Sequence, residues 1–318
     1  MAIGVEVGTR GLRAAICDKQ GDVLDSLHNI SALPNAHTAV DTIFDLVEQL
    51  LDRHDDMREH IAGIGVAFGG PVDTNRGITL GSPRIAGFEQ FPLAGLLEDR
   101  FRIPVLVEND ARAAALGEFD HGAGRGSQSM IYMQLGIGVG GGVIINGELH
   151  HGLAMTAGEF GHIPVSTDGP RCSCGKPGHL EAYVSETAVM SRMRECLDRS
   201  NGSPSSTPGT VHNITIEEIF SHTDSDECAE VVAGDAIRMI GLALAGMISA
   251  LSFDAVVLGG YANLLGTPFI ARVRSRIRQY AFDPPGRRVS VSHGQLGNDA
   301  AIVGSTTLVL RTRSTVRT

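Results

Sequence analysis

The pattern of apolar and polar positions divides the chain into two halves of similar design. Residues 3–7 and 12–17 are apolar runs separated by VGTRG, which predicts two strands joined by a turn. A strand at 129–135, followed by GIGVGGG as a predicted turn, opens the second half in the same way. Strands and helices alternate after each opening. This repeated order predicts an α/β protein of two related domains that face a cleft.

The remaining elements follow from apolar spacing and from turn residues. Apolar positions at helical spacing predict helices at 38–54, 92–100, 110–118, 185–199, 215–221, 229–251, 268–281 and 299–311. Short apolar runs predict strands at 23–27, 61–68, 105–107, 143–145, 255–258 and 289–292. We place the first domain at 1–118 and the second at 119–301, and we expect the helix at about 302–318 to pack back on the first domain. The stretch SNGSPSSTPGT at 200–210 predicts a surface loop.

Length and charge narrow the class of protein. A chain of 318 residues is long for a single core, and its net charge of −10 argues against nucleic acid as a main partner. The apolar stretch at 239–251 is shorter than the roughly 18–20 residues needed to span a bilayer, so we expect a buried helix and no membrane contact. No signal peptide is visible. With only five cysteines, we expect free thiols in a reducing cytoplasm, and Cys17, Cys196 and Cys228 as ordinary small residues.

Two cysteines and two histidines are concentrated in one short region. Cys172, Cys174 and His179 lie in the Gly- and Pro-rich run RCSCGKPGHLEAY, and His162 precedes Cys172 by ten positions. Structural zinc sites use four ligands of these types, although C-x-C by itself is a weak signal. These four residues are therefore the candidate metal ligands.

The run GEFGH followed by CSCGKPGHLEAY resembles the ROK family of repressors, uncharacterised frames and sugar kinases. The motifs GGPVD, ENDARAAALGE, GIGVGGGVIINGELHHG and VVLGGYA stand in the family's order along nearly the whole chain. The resemblance implies the two-domain actin-like ATPase fold of sugar kinases, with an interdomain cleft. It also implies a structural Zn²⁺ on the four candidate ligands. The family carries a third cysteine where this chain has His179, which gives a Cys2His2 set.

The triplet END at 108–110 can be interpreted in two ways. Taken alone, Asn109 and Asp110 at a strand-to-helix junction are typical helix caps. The resemblance instead implies that Asp110 is the general base that accepts the proton of a sugar hydroxyl. It further implies sugar contacts at Asn109, Glu159, His162, Glu181 and Gly70.

The nucleotide motifs of the chain depart from the family pattern. The first hairpin reads E-V-G-T-R where the family has D-x-G-G-T, and in the second Ile137 replaces a threonine. The resemblance implies that the hairpins bind ATP and Mg²⁺, and that GGYA beside them meets the adenosine. The implied residues are Glu6, Gly8, Thr9, Arg10, Gly136, Gly138, Gly259 and Gly260.

Two functions remain open from the sequence. The first is a cytoplasmic kinase that phosphorylates a hexose or an N-acylated amino sugar, at the 6-OH, using ATP. The second is a regulatory ROK protein that binds sugar without catalysis and whose ATP site has decayed. The family's repressors carry an N-terminal winged-helix domain, and this chain begins at its first strand, so we expect the kinase type. Family members are commonly dimers or tetramers, and the sequence does not identify the sugar.

Overall fold

The computed structural model describes residues 1–8, 11–200 and 214–315. Thr9 and Arg10, which the resemblance places at the phosphates, lie outside the described residues, as does the predicted loop except for Ser200. The chain forms two compact units. The first contains Met1–Ser127, Gly142–Gly158 and Leu296–Thr318, and the second contains Gln128–Gly141 and Glu159–Gln295.

Regular elements occupy most of the described chain. The strands are β1 Ala2–Gly8, β2 Gly11–Cys17, β3 Val23–Asn29, β4 Ile64–Phe68, β5 Val72–Asp73, β6 Ile78–Thr79, β7 Val105–Asn109, β8 Met130–Leu135, β9 Val139–Ile145, β10 Glu148–His150, β11 Ala255–Gly260 and β12 Ser290–His293. The helices are α1 Ala36–Arg53, α2 Leu93–Phe101, α3 Asp110–His121, α4 Glu181–Val184, α5 Glu186–Ser200, α6 Ile216–Ser221, α7 Glu227–Leu251, α8 Tyr261–Tyr280, α9 Pro285–Arg288 and α10 Ala300–Thr315. Short 3-10 helices lie at Asp55–His60, Phe160–His162 and Gly297–Asp299.

The first unit contains a five-stranded sheet in the order β3-β2-β1-β4-β7. Strands β1, β2 and β3 pair antiparallel, whereas β4 and β7 join β1 in parallel. Successive side chains of a strand point to opposite faces, so β2 buries residues on both. Leu12 and Ala14 pack in the core that includes α1, whereas Ala15 and Cys17 pack against Ile302 of α10. Both faces of this sheet are therefore covered by helices.

The last helix, α10, packs against α3, β1 and β4 of the first unit. The approach to α3 requires glycine, because a Cβ at Gly304 would lie 1.6 Å from the carbonyl oxygen of Ala113. A side chain there would force the two helices apart. This close contact places the C-terminal helix with the N-terminal half of the chain.

The second sheet has the order β10-β9-β8-β11-β12 and repeats the topology of the first. Here β8 and β12 pair parallel with β11, and β9 pairs antiparallel with β10. The glycines of GIGVGGG predicted a turn over the whole stretch. Only its first residues form the turn, because β9 begins at Val139. A Cβ at Gly141 would meet the carbonyl oxygen of Tyr132 at 2.1 Å. Some of these glycines therefore allow close packing within the sheet.

Residues 142–158 group with the first unit, whereas the sequence assigned them to the second domain. Two hydrogen bonds hold this segment there. Arg311 Nη1 donates to the carbonyl of Gly147 at 2.8 Å, and Arg112 Nη1 donates to the carbonyl of Met155 at 2.6 Å. Because both arginines are distant from the segment along the chain, apolar spacing gives no sign of this grouping.

The expectation that all cysteines are free is wrong for one pair. Cys196 of α5 and Cys228 of α7 form a disulfide, with their Cα atoms 5.6 Å apart. The helices pack side by side, which brings the two residues within bonding range. Cys17, Cys172 and Cys174 are free thiols.

Helix α7 is longer than the apolar run indicated. It has the length and composition of a membrane span, with a mean hydropathy of 1.7 over its most apolar window, but 61% of that window is buried within the protein. This burial is typical of a core helix.

Candidate functional site

Asn109 and Asp110 lie where β7 ends and α3 begins. Asn109 is the N-cap, and its Oδ1 accepts from the backbone N–H groups of Ala111 and Arg112, both at 3.1 Å. Its Nδ2 donates to the carbonyl of Gly70 at 3.1 Å and to Asp110 Oδ1 at 3.2 Å. Asp110 Oδ1 also accepts from the N–H of Ala111 at 2.8 Å. The cap interpretation thus holds for Asn109, and the carboxylate of Asp110 is fixed through one of its oxygens.

A buried charge network lies next to this pair, and sequence reasoning missed it. Glu108 is 1% exposed and accepts from Arg112 Nε at 2.7 Å and from His151 Nε2 at 2.6 Å. Burial alone would raise the pKa of Glu108, but the His151 hydrogen bond and the Arg112 charge hold it below its usual range. The feature of the sequence that could have revealed this ion pair is the (i, i+4) spacing of Glu108 and Arg112.

The second unit brings the four candidate metal ligands together. The ligand atoms of His162, Cys172, Cys174 and His179 all lie within 4.8 Å of one another. Cys172 Sγ is 3.5 Å from His162 Nδ1, and Cys174 Sγ is 3.3 Å from His179 Nδ1. A tetrahedral zinc with ordinary bond lengths separates sulfur and nitrogen ligands by about 3.6 Å. The donor set and its spacing therefore fit Zn²⁺.

Burial raises the pKa of the Cys172 thiol. Only the thiolate is a good metal ligand, so binding of a cation would have to displace this proton. Metal affinity at this cluster should therefore rise with pH.

Glu181 lies beside the Cys/His cluster, at the start of α4. Its Oε1 accepts from Ser173 Oγ at 2.7 Å, and its Oε2 accepts from the backbone N–H of Val139 at 3.3 Å. Glu159, another predicted sugar residue, is exposed and immediately precedes the 3-10 helix that contains His162. Ser173 was not predicted, since its neighbours Cys172 and Cys174 dominate the motif.

The predicted nucleotide residues lie at the ends of strands. Gly8 ends β1, and Glu6 lies on the same strand. In the second hairpin the N–H of Gly136 donates to the carbonyl of Gly138 at 3.0 Å, and the side chain of Ile137 is 52% exposed.

Gly259 and Gly260 end β11 directly before α8. The residue that follows them, Tyr261, is a buried core side chain, and its hydroxyl donates to the carbonyl of Val184 at 2.7 Å. Tyr261 therefore connects the start of α8 to the end of α4.

Comparison with known proteins gives the family. A sequence profile of the ROK family matches residues 2–312. The chain belongs to the ROK family. A glucokinase of Halalkalibacterium halodurans is 32% identical to this ROK protein, over 96% of the chain and 94% of that enzyme. A xylose repressor of Caldicellulosiruptor bescii is 26% identical, over 97% of the chain and 77% of the repressor.

Solved structures give the fold of this ROK protein. A ROK glucokinase from Streptomyces griseus, in complex with glucose and AMPPNP, is 32% identical and has a TM-score of 0.80. The match covers 98% of this chain and 99% of that one. The actin-like ATPase fold of the sugar kinases, predicted from the motifs, is confirmed. The comparisons place the protein among the sugar kinases of the family.

Proposed function

We propose that this protein transfers the γ-phosphoryl group of Mg·ATP to a hexose or an N-acylated amino sugar, at the 6-OH. The observation that carries the proposal is the position of Asp110, whose carboxylate is held at the carboxyl end of β7 by Asn109 and Ala111. Support comes from the similarity to a glucokinase that binds glucose and AMPPNP. Phosphoryl transfer depends on positioning of the reactants and on charge stabilisation. A carboxylate held in one orientation can position the attacking hydroxyl.

Asp110 acts as the general base in this proposal. The sugar hydroxyl passes its proton to the carboxylate as its oxygen attacks the γ-phosphorus, and ADP leaves. Because Oδ1 accepts two hydrogen bonds, the carboxylate keeps one orientation. Asn109, anchored on the carbonyl of Gly70, holds that orientation. Its amide already makes four hydrogen bonds, so a sugar hydroxyl bound by Asn109 would replace one of these partners.

Three further side chains are proposed as sugar contacts. Glu159, His162 and Glu181 offer two carboxylates and an imidazole, which suit a ring that carries several hydroxyl groups. His162 Nδ1 faces Cys172, so its Nε2 is the nitrogen assigned to the sugar.

A structural Zn²⁺ on the two histidines and two cysteines would hold the loop that carries Glu181. Four protein ligands would fill a tetrahedral site, so the ion would supply structural stability there and no chemistry on phosphate. This proposal is supported by the spacing of the four ligand atoms.

The phosphates of ATP are assigned to the two glycine hairpins, and Mg²⁺ would neutralise charge as the γ-phosphoryl group is transferred. The proposed phosphate residues are Glu6, Gly8, Thr9, Arg10, Gly136 and Gly138, and the adenosine residues are Gly259 and Gly260. Backbone N–H groups of such hairpins can hold phosphate without a threonine hydroxyl. We further propose that the protein works in the cytoplasm as a dimer or tetramer, which light scattering after size exclusion would test.

The experiment is an assay coupled to ADP release, run over a panel of hexoses and N-acylated amino sugars. On the best sugar, Asp110→Asn should lower kcat by about 10²–10⁴, since the amide cannot accept the proton. Calorimetry should find the sugar affinity of this variant within a few-fold of the native value. Turnover near the native rate would show that Asp110 is only a structural residue.

A sugar-binding protein without catalysis is the second candidate. It is favoured by the match to a xylose repressor over nearly the whole chain and by Ile137 in the phosphate hairpin. Sugar binding without turnover, and without ATP binding at millimolar nucleotide, would select this candidate over the kinase.

A further inference from the structure

Ser173 lies between the two cysteines of the Cys/His cluster, and its hydroxyl oxygen is 3.7 Å from Cys172 Sγ. Its hydroxyl donates to Glu181 Oε1 at 2.7 Å. This is a hydrogen bond to a carboxylate, which is stronger than one between neutral groups. Ser173 therefore connects the cysteine loop to a carboxylate that the proposed function assigns to the sugar.

The cysteine loop and the start of β9 both donate hydrogen bonds to Glu181, and the Cys172 thiol is among the donors, with its Sγ 3.5 Å from Oε1. Ser173 binds Oε1, and the backbone N–H of Val139, at the start of β9, binds Oε2 at 3.3 Å. A carboxylate has two oxygens with about four acceptor positions, so both oxygens retain capacity for sugar hydroxyls. Donors on both oxygens fix the plane of the carboxylate. When Cys172 is the thiolate ligand of a metal it has no proton to donate, so Ser173 remains to hold Oε1. With the Ser173 bond also removed, the contact with Val139 on Oε2 would be left to orient Glu181 in the metal-bound protein.

The backbone of the cysteine loop determines where Ser173 points. The N–H of Cys172 donates to the carbonyl of Lys176 at 2.9 Å, and the N–H of Gly175 donates to the carbonyl of Cys172 at 2.8 Å. These bonds form a tight turn that contains Ser173 and Cys174. A metal bound to Cys172 and Cys174 would hold the residues on both sides of Ser173, and thereby the position of its hydroxyl.

We infer that Ser173 is a positioning residue for sugar binding, which fixes the carboxylate of Glu181 and couples the order of the cysteine loop to sugar affinity. The inference rests on the proposed function, in which Glu181 binds the sugar. It assigns a role to a residue that is neither a metal ligand nor a sugar contact. A serine hydroxyl is needed at this position because Ala cannot donate and a longer side chain would place its donor elsewhere.

The test compares Ser173→Ala, Ser173→Thr and the native protein by calorimetric titration with the best sugar, with zinc content measured on each sample. Ser166→Ala is the matched control, because Ser166 lies on the same loop and its Oγ accepts from the exposed N–H of Asp168, at 3.4 Å. Ser173→Ala should weaken sugar binding by about three- to tenfold at unchanged zinc content. In kinetics the KM for sugar should rise by the same factor, while kcat stays within twofold. Ser173→Thr should restore the native affinity, and Ser166→Ala should not change it.

A double-mutant cycle decides whether Ser173 acts through Glu181. In a Glu181→Gln background, Ser173→Ala should change sugar affinity by less than twofold, because the carboxylate it positions is gone. If Glu181→Gln binds sugar too weakly to measure, the recovery of native sugar affinity in Ser173→Thr decides whether the hydroxyl at position 173 is responsible. An equal loss in both backgrounds, or a loss of zinc in Ser173→Ala, would overturn the inference.

The outcomes also separate this inference from the proposed function. If the native protein binds sugar and Ser173→Ala binds it equally well, the inference is wrong and the proposed function stands. If the native protein binds no sugar of the panel, the proposed function is wrong, and the role of Ser173 falls with it.

Discussion

Replacing Arg112 by Met removes the arginine from the buried pair it forms with Glu108. Both residues are almost fully buried, at 2% and 1% exposure, and methionine keeps much of the side-chain volume. The variant must either bury a carboxylate without its arginine or protonate it. Protonation of a carboxyl group of ordinary pKa, about 4.3, costs about 3.7 kcal/mol at pH 7, which limits the penalty. The variant also loses the hydrogen bond from Arg112 Nη1 to the carbonyl of Met155, which adds about 1 kcal/mol. We therefore expect a loss of about 3–5 kcal/mol in unfolding free energy, in the usual range for a broken buried pair.

The same reasoning gives a pH dependence with a definite sign. In the native protein the pKa of Glu108 is lowered, so its contribution to stability is present above about pH 4.3 and is lost only as pH falls through the folded-state pKa. That contribution is thus constant between pH 5 and 7. In Arg112→Met the protonation cost falls to about 1 kcal/mol at pH 5, so the deficit should shrink by about 2–3 kcal/mol. The groups that face Glu108 are Arg112, His151, Thr74 and the N–H of Asn109.

Urea unfolding followed by circular dichroism, at pH 5, 6 and 7, would measure these differences. The control is the double variant Glu108→Gln with Arg112→Met, whose deficit should not depend on pH in this range because the buried charge is gone. A single-variant deficit below about 1 kcal/mol at pH 7, or one that does not change with pH, would refute the reasoning.

Three further predictions follow from other parts of the molecule. Gly304→Ala should destabilise the protein by about 1–3 kcal/mol in urea unfolding, since its Cβ would meet the Ala113 carbonyl. At Gly246 no atom lies within 4 Å of the new Cβ, so Gly246→Ala should stabilise the protein by about 0.5–1 kcal/mol. Equal effects would contradict the close contact of α3 and α10. Metal analysis should find about one zinc per native chain and almost none in Cys174→Ala, and the sugar affinity of that variant should be lower by at least about tenfold. A native protein that contains no zinc after purification in the absence of chelators would contradict the zinc proposal. Ile137→Thr should raise kcat/KM for ATP about tenfold and leave the KM for sugar unchanged, because the new hydroxyl can donate to a phosphate oxygen; an unchanged value would show that the hairpin binds phosphate through its backbone alone.

The sequence by itself determined the features that depend on neighbours along the chain. Apolar spacing located most strands and helices, and a cap residue marked the start of α3. The four candidate ligands lie within one short region, from His162 to His179, so their meeting in space could be expected from spacing. The family motifs gave the fold, because they occur in a fixed order over nearly the whole chain.

The tertiary structure alone decided the contacts between distant residues. His151 meets Glu108 from another segment of the chain, Cys228 meets Cys196, and α10 returns to α3. None of these partners repeats at a helical or strand period, so no local pattern records them. The hydrogen bond from Ser173 to Glu181 is closer in sequence, but it depends on the direction of a side chain within a turn. The physical reason is the same in each case: periodicity shows which face of an element is buried, whereas the partner on that face is chosen by packing in three dimensions.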